Sequence, residues 1–313
     1  MKVQPLVSIM GPTGIGKTDL AFNLFEKIDL EIISVDSVQV YKHLDVGSGK
    51  PSKALLRKYP HKLVNIIEPT ESYSVARFNA DAMNEILLAS KQKKLPLLVG
   101  GTMLYFQSLF KGISVMPKTD LTARQKLQEI GEKEGWDSLH VRLKEVDPIS
   151  GARIHPNDSQ RILRALEVFE SSNKTLTEWH KENKKQADHN LRDFKIYQFA
   201  IEIGDKEIHK QRVADRFNSM IEEGFLEEVQ GILNLKEMSA DLSSLRSVGY
   251  RQICEHLDGK ISFDEMIIKG VTATRQLVKR QMTWLRSWEN VVWLKNDPRK
   301  MTSTILDKVL NDI

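Results

Sequence analysis

The stretch MGPTGIGKTDLAF, residues 10–22, contains Gly11-Pro12-Thr13-Gly14-Ile15-Gly16-Lys17-Thr18, a full G-x-x-x-x-G-K-[ST] match. PLVSIM (5–10) before it reads as a buried strand. After it, Leu20, Ala21, Leu24, Phe25 and Ile28 recur at helical spacing. Strand, glycine loop and helix in that order give the motif its mechanism. Backbone N–H groups of the loop point inward at phosphate oxygens, and the helix N-terminus adds its dipole. Lys17 supplies a point charge, and the Thr18 hydroxyl can hold Mg²⁺. All eight residues, Gly11 to Thr18, are therefore candidate diphosphate ligands. The loop announces a diphosphate without saying what carries it.

Outward from the loop, EIISV (31–35) is a short apolar run ending at Asp36. HKLVNII (61–67) and LPLLVG (95–100) read as two further strands, with an amphipathic helix, SVARFNADAMNEILLAS, between them. Strands alternating with helices predict a parallel α/β sheet. From about Pro117 the character changes. LTARQKLQEIGEKEGWDSLHVRLKEV and DSQRILRALEVFESS read as helices, the second capped by Asn157 or Asp158. FKIYQFAIEI (194–203) returns to the sheet, followed by the helical stretches KEIHKQRVADRFNSMIEEGFLEEV and GVTATRQLVKRQMTWLRSW. NVVWL (290–294) is a candidate last strand. The expected fold is thus α/β: a P-loop NTPase-like parallel sheet flanked by helices, with an inserted all-helical domain. The expected core is 1–116 with 190–313, and the insertion 117–189. The polar stretch ENKKQADHN (182–190) is the best candidate hinge.

The 313 residues are ample for a sizeable core. A formal charge of +4 is compatible with a polyanionic partner but does not demand one. The single cysteine, Cys254, can form neither an internal disulfide nor a thiolate metal cluster. It lies in the apolar-periodic run GYRQICEHL and is expected to be a small buried hydrophobe. No apolar run approaches the ~20 residues of a membrane helix, and Gly11 and Pro12 interrupt the N-terminus too early for a signal-peptide core. These features predict a soluble cytoplasmic protein without membrane contact.

A phosphate loop is most often part of an NTPase. A GTPase should carry N-K-x-D, and the nearest stretch, Asn183-Lys184-Lys185-Gln186, lacks the aspartate. A small-molecule or nucleoside kinase stays open, with Asp36 as a metal-ordering carboxylate. A non-catalytic RNA-binding factor would have no need of Lys17, Asp36 and Thr102 together. Strand ends of an open α/β sheet face the ligand crevice, so Asp36 and Thr102 should both border the loop.

Beyond the loop, several stretches resemble one family, the tRNA dimethylallyltransferases (isopentenyl-tRNA transferases), in its bacterial form. They are ISVDSVQVYKHLDVGSGKPS, HKLVNIIEP, YSVARF, PLLVGGTMLYF, ARIHPNDSQRILRALEVF and SVGYRQ, together with GPTGIGKT. The resemblance runs from the loop to about residue 293. It implies transfer of a dimethylallyl group from dimethylallyl diphosphate to N6 of the adenosine 3′ of the anticodon, position 37. The tRNAs are those reading codons that begin with U, the cofactor is Mg²⁺, and the enzyme is a monomer.

The resemblance also implies roles. Asp36 is the base for the N6 proton, Thr102 contacts the target adenine, and Lys17 stabilises the leaving diphosphate. An arginine of KEIHKQRVADRF, Arg212 or Arg216, reaches the diphosphate. The tRNA anticodon stem-loop meets Asp36, Ser37, Val38, Gln39, Thr102, Arg124, the stretch Gln160, Arg161, Ile162, Leu163 and Arg164, and Arg246 and Arg251. Read by periodicity alone, Ile162, Ala165, Leu166 and Phe169 form a buried stripe, with Arg161 and Arg164 off it. A solvated charged face explains those arginines equally well. It is the preferred reading for Arg275, Lys279 and Arg280.

Overall fold

The computed structural model describes residues 3–112, 117, 120–183, 191–310 and 312. The chain divides into two compact units, Met1–Ser108 with Arg192–Ile313, and Leu109–Leu191.

The first unit is built on a six-stranded parallel sheet. Its strands are β1 (Gln4–Met10), β2 (Leu30–Val35), β3 (His61–Lys62), β4 (Leu95–Gly100), β5 (Phe194–Ile201) and β6 (Val292–Leu294), in the order β3-β2-β4-β1-β5-β6. Both faces are covered, which explains why the central strands are near-continuous apolar runs rather than alternating ones. Helices α1 (Lys17–Phe25), α2 (Lys53–Lys58), α3 (Val75–Lys91) and α4 (Met103–Lys111) follow the first strands. Ser74 caps α3 by accepting the Arg77 N–H.

Register decides where the chemistry lies. Met10 pairs with Gly100, and Gly100 with Val35. The carboxyl ends of β1, β4 and β2 therefore stop level with one another. The next residues, Gly11, Gly101 and Asp36, leave the sheet side by side. HKLVNII contributes only His61 and Lys62 as strand. Leu63 and Asn65 take positive φ (62° and 57°) and turn the chain out of the ladder, leaving an isolated bridge from Ile67 to Tyr41. Leu63 and Ile67 are nonetheless buried. The apolar run reflects burial under a loop, not a full strand.

The second unit holds α5 (Leu121–Glu134), α6 (Trp136–Val146), α7 (Pro148–Arg153), α8 (Ser159–Ser172) and α9 (Leu176–Asn183). The single long helix expected over α5 and α6 breaks at Gly135, whose φ of 88° ends one helix and starts the next. Asp158 is the cap of α8. Leu127, Leu139, Leu143, Ile154, Ile162 and Leu166 form its core. Residues 184–190 of the candidate hinge, and with them Lys184, Lys185 and Gln186, lie outside the described residues.

After β5 come α10 (Lys206–Glu222), α11 (Phe225–Leu233), α12 (Tyr250–Leu257), α13 (Phe263–Arg286) and α14 (Pro298–Val309). KEIHKQRVADRFNSMIEEGFLEEV is two helices, separated by Gly224 at φ 93°. Phe217, Phe225, Val229, Ile232, Tyr250, Ile253 and Cys254 gather from these helices into a second core with Val40, Tyr41 and Leu44. Burial pushes the Cys254 thiol up to about 11, as an inert core residue requires. Among the described residues no helix is long and apolar enough to cross a membrane.

Candidate active site

The phosphate loop, the residues after β2 and β4, and α10 and α13 enclose one cavity of about 350 Å³ within the first unit. Its polar lining includes Thr13, Gly14, Lys17, Asp36, Thr102 and Arg216. Its apolar lining includes Val38, Met103, Phe217, Met220, Leu277 and Trp284. A second cavity of about 690 Å³ shares Thr13, Gly14, Lys17, Asp36 and Arg216, and adds Gly16, Thr18, Gln39 and Arg212. Loop residues Thr13 to Thr18, Asp36, Thr102, Gln39 and both candidate arginines thus border these two adjoining cavities.

Each group is fixed by its own local chemistry. Gly16 enters α1 at φ 96°, a conformation that favours glycine, so the loop can turn its amides inward. Gly11 and Pro12 line neither cavity; their carbonyls accept Lys17 Nζ at 2.9 and 2.8 Å. Ile15 is buried in the sheet core, so its contribution is backbone only, as its place in the motif suggests. Burial brings the Lys17 ammonium down to about 8; Asp36 opposes that shift and Arg216 adds to it. Burial likewise lowers the Arg216 guanidinium, with Asp36 pulling the other way. A cationic pair held in a partly dry site is short of counter-charge, and a diphosphate supplies it.

Asp36 is held by an Asx turn. Its Oδ1 accepts the Val38 and Gln39 backbone N–H at 2.8 and 3.1 Å. Across the crevice, the Thr102 hydroxyl accepts the Ser37 N–H at 3.1 Å. Ser34 donates to Gln39 Oε1 at 3.1 Å. Asp36, Ser37, Gln39 and Thr102 therefore form one preorganised edge.

Arg216 is shaped by a loop the sequence reading left without a role. A Cβ on Gly49 would meet Arg216 Nη2 at 1.9 Å, so the loop lies directly on the guanidinium. Glu228 of α11 holds that loop. Its Oε2 accepts the Asp45 and Val46 N–H at 2.9 and 2.6 Å, and its Oε1 accepts the Gly47 N–H at 3.1 Å and the Tyr250 hydroxyl at 2.7 Å. Next to Arg212 on α10, His209 is buried and neither ring nitrogen has a hydrogen-bond partner among the described residues. Burial, then Arg212 and Lys17, hold its pKa below the ordinary range, against a weak opposing pull from the Thr13 backbone.

One further residue escaped sequence reading. Gln281 of α13 is 8% exposed and bonds both the phosphate loop and the loop after β4. A glutamine at 281, in line with the apolar Val278, Met282 and Leu285, was the available signal: a polar group on a buried stripe has a partner. Arg280, read as a solvated charge, lines the smaller cavity while remaining exposed.

The expected tRNA-contacting residues divide. Arg246 and Arg251 lie in the first unit but line neither cavity, and pair loosely with Asp241 and Glu255 at 3.7 and 3.8 Å. In the second unit, Gln160 is exposed and the Arg161 side chain is 73% exposed, with an ion pair to Asp158 at 3.3 Å. Ile162 and Leu163 are both buried in the helical core, so their side chains pack inward and only their backbone could meet a ligand. Arg124 and Arg164 both pair with the fully buried Glu167, and Arg164 also donates to the Pro117 carbonyl at 2.9 Å. A buried carboxylate demands such partners, so these two arginines have a structural task whatever else they meet.

Comparison with known proteins gives the family of the chain. The IPP transferase family model matches residues 39–288. The fold matches the full-length tRNA isopentenylpyrophosphate transferase from Bacillus halodurans with a TM-score of 0.71 and 29% identity, covering 99% of this chain and 96% of that one. It matches tRNA delta(2)-isopentenylpyrophosphate transferase from Staphylococcus epidermidis with a TM-score of 0.69 and 29% identity, over 98% of this chain and all (100%) of that one. A eukaryotic dimethylallyltransferase, captured acting on tRNA, matches at a TM-score of 0.76 and 25% identity, over 99% of this chain and 79% of that one. The chain belongs to the IPP transferase family, the one its motifs resemble, and is a prenyl-transferring enzyme on a P-loop fold.

Proposed function

We propose that this enzyme transfers a dimethylallyl group from dimethylallyl diphosphate to N6 of adenosine 37 in tRNAs that read codons beginning with U. One observation carries the reading: the phosphate loop, Lys17 and Arg216 share a cavity with Asp36, Thr102 and an apolar wall. Diphosphate, allyl group and base each have chemistry to meet there. The family match and the apolar wall leave the small-molecule kinase alternative without support.

In the reaction the C1–O bond of the donor breaks and its electron pair leaves with the diphosphate. Loop amides, Lys17 and Arg216 stabilise the charge that develops on that oxygen. The N6 lone pair forms the new bond to C1. The amine is a weak nucleophile, and Asp36 accepts its proton. With Oδ1 tied to two backbone amides, Oδ2 is the oxygen for that task. The base must be flipped out of the anticodon loop to reach the cavity. The hard oxygen donors of Thr18 and Asp36 line the larger cavity, which suits Mg²⁺. Thr18 would hold the ion with the diphosphate, and the ion would supply further counter-charge.

The test combines purified enzyme, Mg²⁺, labelled dimethylallyl diphosphate and unmodified tRNA, followed by nucleoside digestion and mass analysis. The expected product is an adenosine heavier by one dimethylallyl group at position 37. Asp36→Ala should lower single-turnover transfer at least 100-fold and leave tRNA affinity within about threefold. Lost tRNA binding with a normal single-turnover rate would remove Asp36 from the base role.

A further inference from the structure

The strands β1 and β4 stop pairing at Met10 and Gly100, level with the site. Past that point the phosphate loop and the Gly101–Thr102 loop have no ladder between them. Gln281 fills the gap. Its Oε1 accepts the Thr13 N–H at 3.0 Å, and its Nε2 donates to the Gly101 carbonyl at 2.9 Å. A carboxamide has the donor and acceptor of a peptide group, so this side chain bonds the two strand ends as a stretch of intervening strand would. The fit is close. A Cβ on Gly101 would lie 2.6 Å from Gln281 Nε2 and 3.2 Å from the Gly11 carbonyl.

One loop grips the donor's diphosphate and the other carries Thr102 beside Asp36. The geometry assigns Gln281 as a positioning residue for prenyl transfer, one that sets the spacing between the donor loop and the acceptor-base loop. This rests on the prenyl-transfer reading above. Gln281 does not move the proton or take the leaving charge. It acts through the distance over which C1 and N6 must approach, where about 1 Å of misplacement is worth roughly 100-fold in rate.

Gln281→Met keeps the length and removes both hydrogen bonds. Single-turnover transfer is expected to fall 30- to 100-fold, with the dissociation constants of dimethylallyl diphosphate and of tRNA each within about threefold of wild type. Hydrogen exchange gives a readout independent of turnover: the Thr13 amide should exchange at least tenfold faster in Gln281→Met. Gln281→Glu keeps the acceptor but not the donor, and should leave the Thr13 amide protected while transfer still falls. Transfer at the wild-type rate in Gln281→Met, or a loss confined to donor affinity with single turnover intact, would overturn the assignment. A wild-type enzyme that modifies no tRNA would refute the underlying prenyl-transfer reading, a result seen before any variant is compared.

Discussion

Glu228 offers a sharp test of how the site is held together. It sits on α11, some 180 residues from the loop it organises. It accepts the backbone N–H groups of Asp45, Val46 and Gly47 and the Tyr250 hydroxyl. Hydrogen bonds to a charged group contribute about 1.5–3 kcal/mol each, but they do not simply add. Residues 45–47 are half-buried, so in Glu228→Ala their amides regain water. The Tyr250 side chain is fully buried and its hydroxyl does not, which alone costs about 1–3 kcal/mol. Loosening the loop adds to this, for a total of about 3–5 kcal/mol. Glu228→Gln is gentler, because Oε1 survives while the new NH₂ faces the donors of Asp45 and Val46; about 2–3 kcal/mol is expected. The functional effect follows from Gly49, whose loop lies on Arg216. Freed of Glu228, that loop releases the guanidinium, and the donor KM should rise about tenfold, or 1.4 kcal/mol. Chemical denaturation gives the stability change, hydrogen exchange at Asp45–Gly47 reports the loop, and steady-state kinetics give the donor KM. A Glu228→Ala protein destabilised by less than about 1 kcal/mol, with an unchanged donor KM, would refute the reasoning.

Two other outcomes follow from the charges. Burial lowers the Lys17 pKa to about 8 from an ordinary 10.5, so between those values the unfolded chain binds more protons than the folded one. The sign of linkage then makes stability of the free enzyme rise with pH from about 8 towards 10.5. Donor affinity should fall over the same interval, as the ammonium that meets the diphosphate loses its proton; chemical denaturation checks the first and titration calorimetry the second across pH 7–10, and a flat profile would contradict either. In the helical unit, Arg161→Ala should weaken tRNA binding and reduce its salt slope by about one, because that side chain is exposed and its ion pair among the described residues is with Asp158. Arg164→Ala should instead lower stability, by leaving the buried Glu167 with one fewer cation; equal behaviour of the two variants would argue against the division drawn here.

The parts of the fold that sequence made legible are those with local causes. A strand, a glycine loop and an amphipathic helix within about 25 residues carry their own signals, and the phosphate loop formed as read. The Asp36 turn is likewise local, with acceptor and donors two and three residues apart. What was illegible depends on distant partners. The run 61–67 has strand composition, yet Leu63 and Asn65 adopt positive φ because a loop crossing beside Tyr41 claims it. Ile162 was legible as part of the buried stripe of its helix, whereas the burial of Leu163, off that stripe, depends on the packing of the helical core. Glu228 and Gln281 act on backbone groups about 180 and 268 residues away, and nothing near them in the chain announces those partners.

A phosphate loop can serve a reaction other than nucleotide hydrolysis. The loop stabilises charge on a departing diphosphate oxygen, and that task is indifferent to whether phosphorus or carbon is attacked. What the neighbouring strand ends carry decides the outcome. Here the region beyond the loop is walled by Val38, Met103, Phe217, Met220, Leu277 and Trp284, which favours an allylic carbon and disfavours water. An electrophilic allyl group in such a chamber is protected from hydrolysis until a nucleophile is delivered. In the proposed reaction Asp36 and Thr102, on one preorganised edge, would meet a base rather than a water. On this reading the specificity for prenyl transfer lies in β2 and β4 and their loops, while the phosphate loop supplies the leaving-group chemistry. Exchanging the apolar wall for polar residues should therefore convert transfer into hydrolysis of the donor before it abolishes donor binding.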